Sequence, residues 1–181
     1  SSPLVAPGAL VWWHHRAAGP TDAYDPATGR YDQLRGYNAL ESLLVEQIAA
    51  PPVAADVLLG RDRSAASQVI KQPDVLMLHH LIPQEVAIGS LRPNLDFYGP
   101  RTANGSSLSP AITASLLARA GRADEAVQML RLAMVLDVDD LSGSTAAGRT
   151  LATLGGVWQA GLAGVAGGRV RPGGREIEDE V

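Results

Sequence analysis

The sequence contains no cysteine, which excludes a disulfide scaffold, thiolate metal ligands and a cysteine nucleophile. Aromatic residues make up only 4% of its 181 residues, so we expect helices that pack closely through alanine and glycine. A net charge of −4 disfavours a nucleic-acid partner, which would bind a basic surface. The hydrophobic fraction of 46% predicts one domain with a buried core.

Three further kinds of feature are missing. No basic segment followed by an apolar run marks a secretion signal near the first residue. Residues 150–168 carry no charge, but they are rich in glycine and alanine and contain Gln159, which favours a buried helix over a membrane span. His14-His15 and His79-His80 are adjacent pairs, unlike the wider spacing of metal ligands. We therefore expect a cytoplasmic protein with no membrane contact, no metal and no cofactor.

Hydrophobic spacing predicts an all-α fold of consecutive helical hairpins, because no segment shows strand alternation. In the best-marked helix, Ser109 suits the N-cap, Pro110 the first helical position, and Gly121 the left-handed residue after the end. Proline and glycine predict irregular structure over 91–105. The predicted helices are 38–49, a stretch within 64–82 that restarts at Pro73, 109–121, 123–136 and 146–166.

One helical hairpin allows a first interpretation of function. The run LLARAGRADEA (116–126) is similar to a tetratricopeptide hairpin. A solenoid of such hairpins needs the motif to recur about every 34 residues, and the sequence contains no second copy. A non-catalytic helical interaction module of this kind, or a degenerate relative of an enzyme, is the alternative to the interpretation that follows.

Four ordered segments support a more specific resemblance. They are YDQLRGY (31–37), VIKQPDV (69–75), FYGPRT with GSSLSP (97–102 and 105–110), and LDVDD with GGVWQA (136–140 and 155–160). They resemble the F-x-Q-F-x-G-Y, I-K-Q-A-D-V, Y-E-P-R-T…S-S-L-S-P and L-D-x-D-D…G-G-x-W-Q-A segments of glycoside hydrolase family 65. These segments span nearly the whole chain, in the family's order.

The resemblance implies a fold and an activity. The family contains maltose, kojibiose, nigerose and trehalose phosphorylases and related α-glucoside hydrolases, which act with inversion in an (α/α)6 barrel. This chain resembles only the C-terminal portion of that barrel, so we expect a partial barrel over 1–171 and an acidic tail over 172–181. The family's general acid is a glutamate in an upstream G-P-D-E-Y motif, which this sequence does not contain. No catalytic residue is therefore predicted within the chain.

The resemblance also implies binding residues. Lys71 and Gln72 match the pair that holds glucose at the cleavage point, and a lysine with an amide offers both donors and an acceptor to sugar hydroxyls. Lys71 is the sole lysine in a chain that otherwise uses arginine, which favours a functional role over a solvated surface charge. Inorganic phosphate is the implied co-substrate, and a disaccharide or glucose is the implied ligand.

An anion-facing loop completes the implied site. Gly105, Ser106 and Ser107 match the loop that faces phosphate, or water in a hydrolase, and Thr150 stands where phosphorylases carry a phosphate-binding histidine. That threonine favours weaker anion binding, hence a hydrolase or an inactive relative. The family also often has histidine where Asn104 stands. A partial barrel leaves apolar helix faces unpaired, so we expect a homo-oligomer or association with the remainder of the enzyme.

Overall fold

A computed structural model of the chain describes residues 23–48, 55–105, 108–136, 151–165, 168–171 and 174–177. Its strands are β1 (Tyr24–Asp25), β2 (Arg30–Tyr31), β3 (Gly168–Arg171) and β4 (Gly174–Ile177), and each consecutive pair forms an antiparallel hairpin. Its α-helices are α1 (Ala55–Ala66), α2 (Asp74–Leu81), α3 (Leu91–Tyr98), α4 (Leu108–Arg119), α5 (Ala123–Leu136) and α6 (Leu151–Gln159). Short 3₁₀ turns occupy Tyr37–Ala39, Val45–Gln47 and Gly99–Arg101, and a π-helical segment covers Ala160–Val165.

Alternate helices form one layer of the fold. Helices α2, α4 and α6 pack side by side, α2 against α4 and α4 against α6. Helix α3 packs on α2, and α5 forms a hairpin with α4 and also contacts α6. Consecutive hairpins with alternate helices in one layer are the arrangement expected of part of an (α/α)6 barrel. The predicted all-α class is confirmed.

The turn between α4 and α5 follows the prediction made for Gly121. This glycine has a φ of +75°, a backbone conformation that residues with a Cβ rarely adopt. The Arg122 N–H donates to the Leu117 carbonyl and the Gly121 N–H to the Ala118 carbonyl, both at 2.9 Å. This pair of bonds is the Schellman motif, which satisfies the last carbonyls of α4 and turns the chain into α5. Helix α4 itself begins one residue before Ser109, whose hydroxyl donates to the Lys71 carbonyl.

The predicted helix 38–49 is wrong. The structure has the two 3₁₀ turns here, joined by the extended residues Leu40 and Leu44. Glu41 pairs with the end of α1 because its N–H donates to the Ala66 carbonyl and its carbonyl accepts the Gln68 N–H, both at 2.9 Å. These long-range backbone bonds replace those that a helix would make within the segment. The apolar spacing in 38–49 reflects contacts with two different parts of the core.

Two other expectations need correction. Residues 91–98, predicted to be irregular, form α3 because Pro93 lies in its first turn, where a backbone N–H has no helical partner. Helix α1 begins at Ala55, well before the predicted stretch, and has a kink at Gly60. The expected acidic tail contains the strand β4, which pairs with β3. The domain boundary at residue 171 stays a prediction.

Three buried tyrosines join the N-terminal segment to the helices. The Tyr98 hydroxyl donates to the Tyr31 carbonyl at 2.6 Å, and the Tyr37 hydroxyl donates to the Gln68 carbonyl at 2.5 Å. Burial raises the pKa of Tyr98 to about 12, so its hydroxyl keeps its proton at neutral pH. The ring centroids of Tyr37 and Tyr98 lie 5.7 Å apart, and both rings belong to the main core cluster. Residues 31–37 are therefore held on α3 by polar and apolar contacts together.

Buried polar side chains fix the region between α2 and α3. Asn94 accepts the Tyr31 N–H at 3.0 Å and donates to the Ser90 carbonyl at 2.7 Å. The His79 ring lies between the Val75 carbonyl (2.8 Å) and the Ser90 hydroxyl (3.0 Å). Burial lowers the pKa of His79, which favours the neutral imidazole. His79 is therefore a core residue that ties α2 to the start of α3.

Helices α4 and α6 approach each other closely at one glycine. A Cβ added to Gly156 would lie 3.0 Å from the Cβ of Ala111, whereas one added to Gly155 would meet no atom within 4 Å. Ala111 and the neighbouring Ala114 are almost completely buried. The expectation that the glycine-rich helix is held by close packing is confirmed at this contact.

We expect alanine to have opposite effects at these two glycines. Gly155→Ala should raise the free energy of unfolding by about 1 kcal/mol, because alanine favours a helix and the added methyl meets no atom. Gly156→Ala should lose this gain, because overpacking against Ala111 costs about 1–3 kcal/mol. Denaturant unfolding of the two variants and the parent chain measures the difference. Equal stabilisation by both substitutions would contradict the close contact.

Candidate active-site cleft

A cleft of about 350 Å³ lies between the three helices of the α2, α4 and α6 layer. Its walls are the first turns of α2 and α4 with the residues just before α2, and one face of α6. The lining residues are Gln72, Pro73, Asp74, Met77, Leu108, Ser109, Ile112, Ala152, Gly155, Gly156 and Gln159. Helix starts carry free backbone N–H groups and a partial positive charge. The cleft therefore combines apolar lining residues with a few polar groups near two helix N-termini.

Two loops that are distant in the sequence run side by side before these helix starts. The Ile70 N–H donates to the Arg101 carbonyl and the Ala103 N–H donates to the Ile70 carbonyl, both at 2.9 Å. These bonds form a parallel bridge between Ile70 and Thr102. The structure thereby brings together the two predicted segments 69–75 and 97–110, which lead into α2 and α4.

Of the predicted sugar-binding pair, Gln72 lines the cleft, whereas Lys71 is not among its described lining residues. The exposed Lys71 directly precedes Gln72, with its carbonyl accepting the Ser109 hydroxyl at 3.4 Å. Gly105 lies at the end of the loop before α4 and is not among the lining residues. Ser106, Ser107 and Thr150 lie outside the described residues. The binding roles of all six residues stay predictions.

The start of α2 depends on a residue that sequence reasoning did not single out. Gln33 donates from its amide nitrogen to the Gln72 carbonyl and to a carboxylate oxygen of Asp74, both at 3.1 Å. Its amide oxygen accepts the Val75 N–H at 3.3 Å. Gln33 lies in the segment YDQLRGY, which pointed to the family, but the sequence does not show which residues the Gln33 side chain contacts. Gln159, at the end of α6 and in the segment GGVWQA, also lines the cleft.

Arg101, from the segment FYGPRT, supports the loop rather than lining the cleft. Its guanidinium donates to the Gln68 amide oxygen and the Phe97 carbonyl, both at 2.9 Å. The guanidinium carbons of Arg30 and Arg101 lie 3.8 and 3.9 Å from the centre of the Phe97 ring. Burial lowers the pKa of Arg101 from its usual value, and the cation–π contact offsets part of that desolvation. These contacts hold the loop that bridges to Ile70.

Asn104 occupies an unusual position at the end of this bridge. Its φ is +53°, the left-handed region in which asparagine, aspartate and histidine are the commonest residues after glycine. Only 7% of its surface is exposed, and its amide oxygen has no hydrogen-bond partner in the structure as described. It lines a second cleft of about 610 Å³ between the 99–104 loop and α5. The backbone turn at Asn104 directs the chain toward the predicted anion-facing loop.

The described residues contain no group of three or more histidine, aspartate or glutamate side chains that could hold a metal ion. Over the same residues, no helix has the length and hydropathy needed to cross a bilayer.

Comparison with known proteins gives consistent matches. The model of the glycosyl hydrolase family 65 central catalytic domain matches residues 23–159. The chain is 37% identical over 110 residues to a kojibiose phosphorylase of Halothermothrix orenii, which covers 61% of the chain and 14% of that protein. It is 37% identical over 103 residues to an alpha,alpha-trehalose phosphorylase of Thermoanaerobacter brockii, which covers 57% of the chain and 13% of that protein.

A solved structure matches nearly the whole fold. It belongs to a protein of the human microbiome assigned provisionally as a kojibiose phosphorylase, and it superposes with a TM-score of 0.77 at 26% identity. The match covers 92% of this chain and 23% of that chain. The two curated relatives are also far longer than the part matched, since the chain spans about one seventh of their length.

Substitutions at Asn104 test the left-handed turn that ends the bridge. Asn104→Ala should lower the free energy of unfolding by about 1–2 kcal/mol, because a Cβ without a polar side chain disfavours this φ. Asn104→Gly should be stable to within about 1 kcal/mol of the parent, since glycine adopts the turn freely and the unpaired amide oxygen is removed. Chemical denaturation of both variants gives the comparison. If alanine and glycine are equally tolerated, the turn does not have the described conformation.

Proposed function

The chain belongs to glycosyl hydrolase family 65, and from this premise we propose that it is part of an enzyme that cleaves an α-linked glucose disaccharide with inversion. In this proposal the chain supplies the sugar-binding residues Lys71 and Gln72 and an anion-facing loop at Gly105, Ser106 and Ser107 with Thr150. The tetratricopeptide-like run is the α4–α5 hairpin of the same fold. The observation that carries the proposal is the cleft between α2, α4 and α6, where the family's segments converge.

Inverting cleavage sets clear requirements for such a cleft. A protonated carboxyl group donates its proton to the glycosidic oxygen as the bond from that oxygen to the anomeric carbon breaks. A phosphate oxygen forms the new bond to the anomeric carbon from the opposite face. Because phosphate is already anionic, the cleft needs donors that hold the anion rather than a second carboxylate. The sequence has no G-P-D-E-Y motif, so the proposal assigns the general acid to the rest of the enzyme.

The polar groups of the cleft support sugar and anion binding. The Gln72 amide and the Ser109 hydroxyl lie on its wall, and the starts of α2 and α4 add the partial positive charge of the helix dipole, which attracts an anion. Lys71 would add a positive charge with three donors from the adjacent exposed position. The apolar lining residues Met77 and Ile112 would exclude water from part of the ligand.

Phosphorolysis is favoured over hydrolysis by the carboxylates of the cleft. Hydrolysis with inversion needs a carboxylate base to activate water. Among the described lining residues the one carboxylate is Asp74, and it already accepts a hydrogen bond from Gln33. The two relatives named above are both phosphorylases. Hydrolysis is the second candidate because Thr150 replaces the family's phosphate-binding histidine.

The proposal also includes association with the rest of the enzyme. Leu151, Leu154 and Trp158 follow helical spacing on α6 and are 80%, 47% and 58% exposed. Such an apolar stripe is costly in water and typical of an interface. We place on this stripe the remainder of the barrel, which the longer relatives contain, and we retain a cytoplasmic location and a homo-oligomer as expectations.

Lys71→Met tests the proposed sugar site. Methionine keeps the length of the side chain and removes its charge and its donors. In the complete enzyme that contains this segment, we expect kcat/KM for the disaccharide to fall by at least about 100-fold, because a charged hydrogen bond and the position of the sugar are lost. Glucose binding should weaken in parallel, as measured by calorimetry.

Two controls separate this effect from a general loss of charge. Arg61→Met removes an exposed cation on α1 that is not among the lining residues of the cleft, and should leave kcat/KM unchanged. The unfolding temperature of Lys71→Met should match that of the parent, since the exposed Lys71 side chain contributes little to folding. Unchanged kinetics in Lys71→Met would contradict the proposed function at its most specific residue.

A further inference from the structure

Helix α2 begins without a capping side chain of its own. Its N-cap residue is Pro73, which has no side-chain oxygen, and no side chain of the N-cap bonds to the helix start. Helices ordinarily fill this role with serine, threonine, aspartate or asparagine at the N-cap, accepting the N–H of the second or third helical residue. In α2 the second helical residue is Val75, and its N–H donates to Gln33, which lies 42 positions earlier in the chain.

The Gln33 amide makes two more hydrogen bonds at the start of α2. Its nitrogen donates to the Gln72 carbonyl and to the Asp74 carboxylate, each at 3.1 Å. One amide thus accepts a hydrogen bond from the Val75 N–H at the helix start and donates to two oxygen atoms, one of the Gln72 carbonyl and one of the Asp74 carboxylate. The match is specific to glutamine, because glutamate would place an oxygen against two acceptors. The side chain therefore sets the position of the backbone at Gln72.

Gln33 is itself fixed from the core. Tyr31, two positions before it, accepts at its carbonyl the hydroxyl of Tyr98, which is 1% exposed on α3, at 2.6 Å. The glutamine therefore follows a residue held by the buried core, and its side chain bonds to Gln72 and Asp74 of the cleft wall. An anchored residue of this kind transmits the position of the core to the start of α2.

The two residues before Gln72 are held by hydrogen bonds to other parts of the chain. Ile70 pairs with Arg101 and Ala103, and the Lys71 carbonyl accepts the Ser109 hydroxyl. Lys71 and Gln72 therefore lie in a short span between the Ile70 bridge and the Gln33 cap. Movement at either anchor would displace both side chains relative to the cleft.

We propose that Gln33 is a positioning residue for the sugar-binding pair, acting by capping α2 and holding the Gln72 carbonyl. The inference rests on the proposed function, because it assigns Gln33 an effect through Lys71 and Gln72. Gln33 lines no part of the cleft and takes no direct role in bond cleavage. Its contribution is geometric: hydrogen-bond donors contribute to catalysis only when they are held in the productive position.

Gln33→Glu is the direct test, in the complete enzyme that contains this segment. The substitution keeps the shape and the acceptor toward Val75 but loses both donor contacts. We expect kcat/KM for the disaccharide to fall about 10-fold, mainly through KM, because sugar binding depends on the displaced pair. Gln84→Glu, which adds the same charge at an exposed site beyond the other end of α2, should leave kinetics unchanged.

A double-mutant cycle distinguishes positioning from a general structural effect. If Gln33 acts through the pair, Gln33→Glu should have little further effect once Lys71→Met has removed the main sugar contact. Adding Asp74→Asn to Gln33→Glu should recover part of the loss, since the asparagine amide then donates to the introduced carboxylate. A purely structural role predicts instead multiplying losses in the cycle and a lowered unfolding temperature in proportion to lost activity.

The outcomes separate this inference from the proposed function. If Lys71→Met is severe and Gln33→Glu is neutral, or if the two losses multiply, the positioning role is wrong and the proposed function stands. If Lys71→Met leaves kinetics unchanged, the proposed function fails and the positioning role fails with it. Sub-multiplicative losses with partial recovery by Asp74→Asn support both.

Discussion

The backbone pairing of Ile70 with Arg101 and Ala103 is the contact on which the candidate site depends. It joins the segment before α2 to the segment before α4, although about thirty positions separate them in the chain. Because each segment leads directly into a helix, the pairing sets the two helix starts side by side and leaves the cleft between them. Buried backbone groups must find partners, so this pairing also has a direct energetic reason. Arg101 and Phe97 support one side of it, and Gln33 and the tyrosine network support the other.

The sequence predicted the helices best where the signals are local. Gly121 marks the end of α4, and Asp74 after Pro73 marks the start of α2, because caps and prolines act on their own neighbours. The prediction of helices failed where backbone groups form hydrogen bonds with distant parts of the chain instead of within a helix. Residues 38–49 have helical apolar spacing, but Glu41 pairs with the end of α1 instead. Pro93 suggested an irregular segment because proline disrupts the interior of a helix. It lies in the first turn of α3, where proline is tolerated, but the sequence did not show where that helix begins.

The candidate site shows the same division. The resemblance to the family's segments predicted Lys71 and Gln72 as binding residues without any knowledge of the fold, whereas the function of Gln33 as a cap for α2 depends on a contact across 42 positions that no local pattern encodes. Asn104 illustrates an intermediate case. Asparagine tolerates a positive φ better than most residues, so its presence fits the turn, but the sequence alone does not show that the backbone is left-handed here.

The central claim is that the cleft between α2, α4 and α6 is the half of a disaccharide-cleaving site that holds glucose and an anion. A crystal structure of the complete enzyme with glucose and phosphate bound tests it most directly. We expect glucose within hydrogen-bond distance of the Lys71 ammonium and the Gln72 amide, with phosphate at the loop before α4. Glucose bound elsewhere, with the Lys71 side chain in solvent and the cleft filled by another part of the barrel, would contradict it.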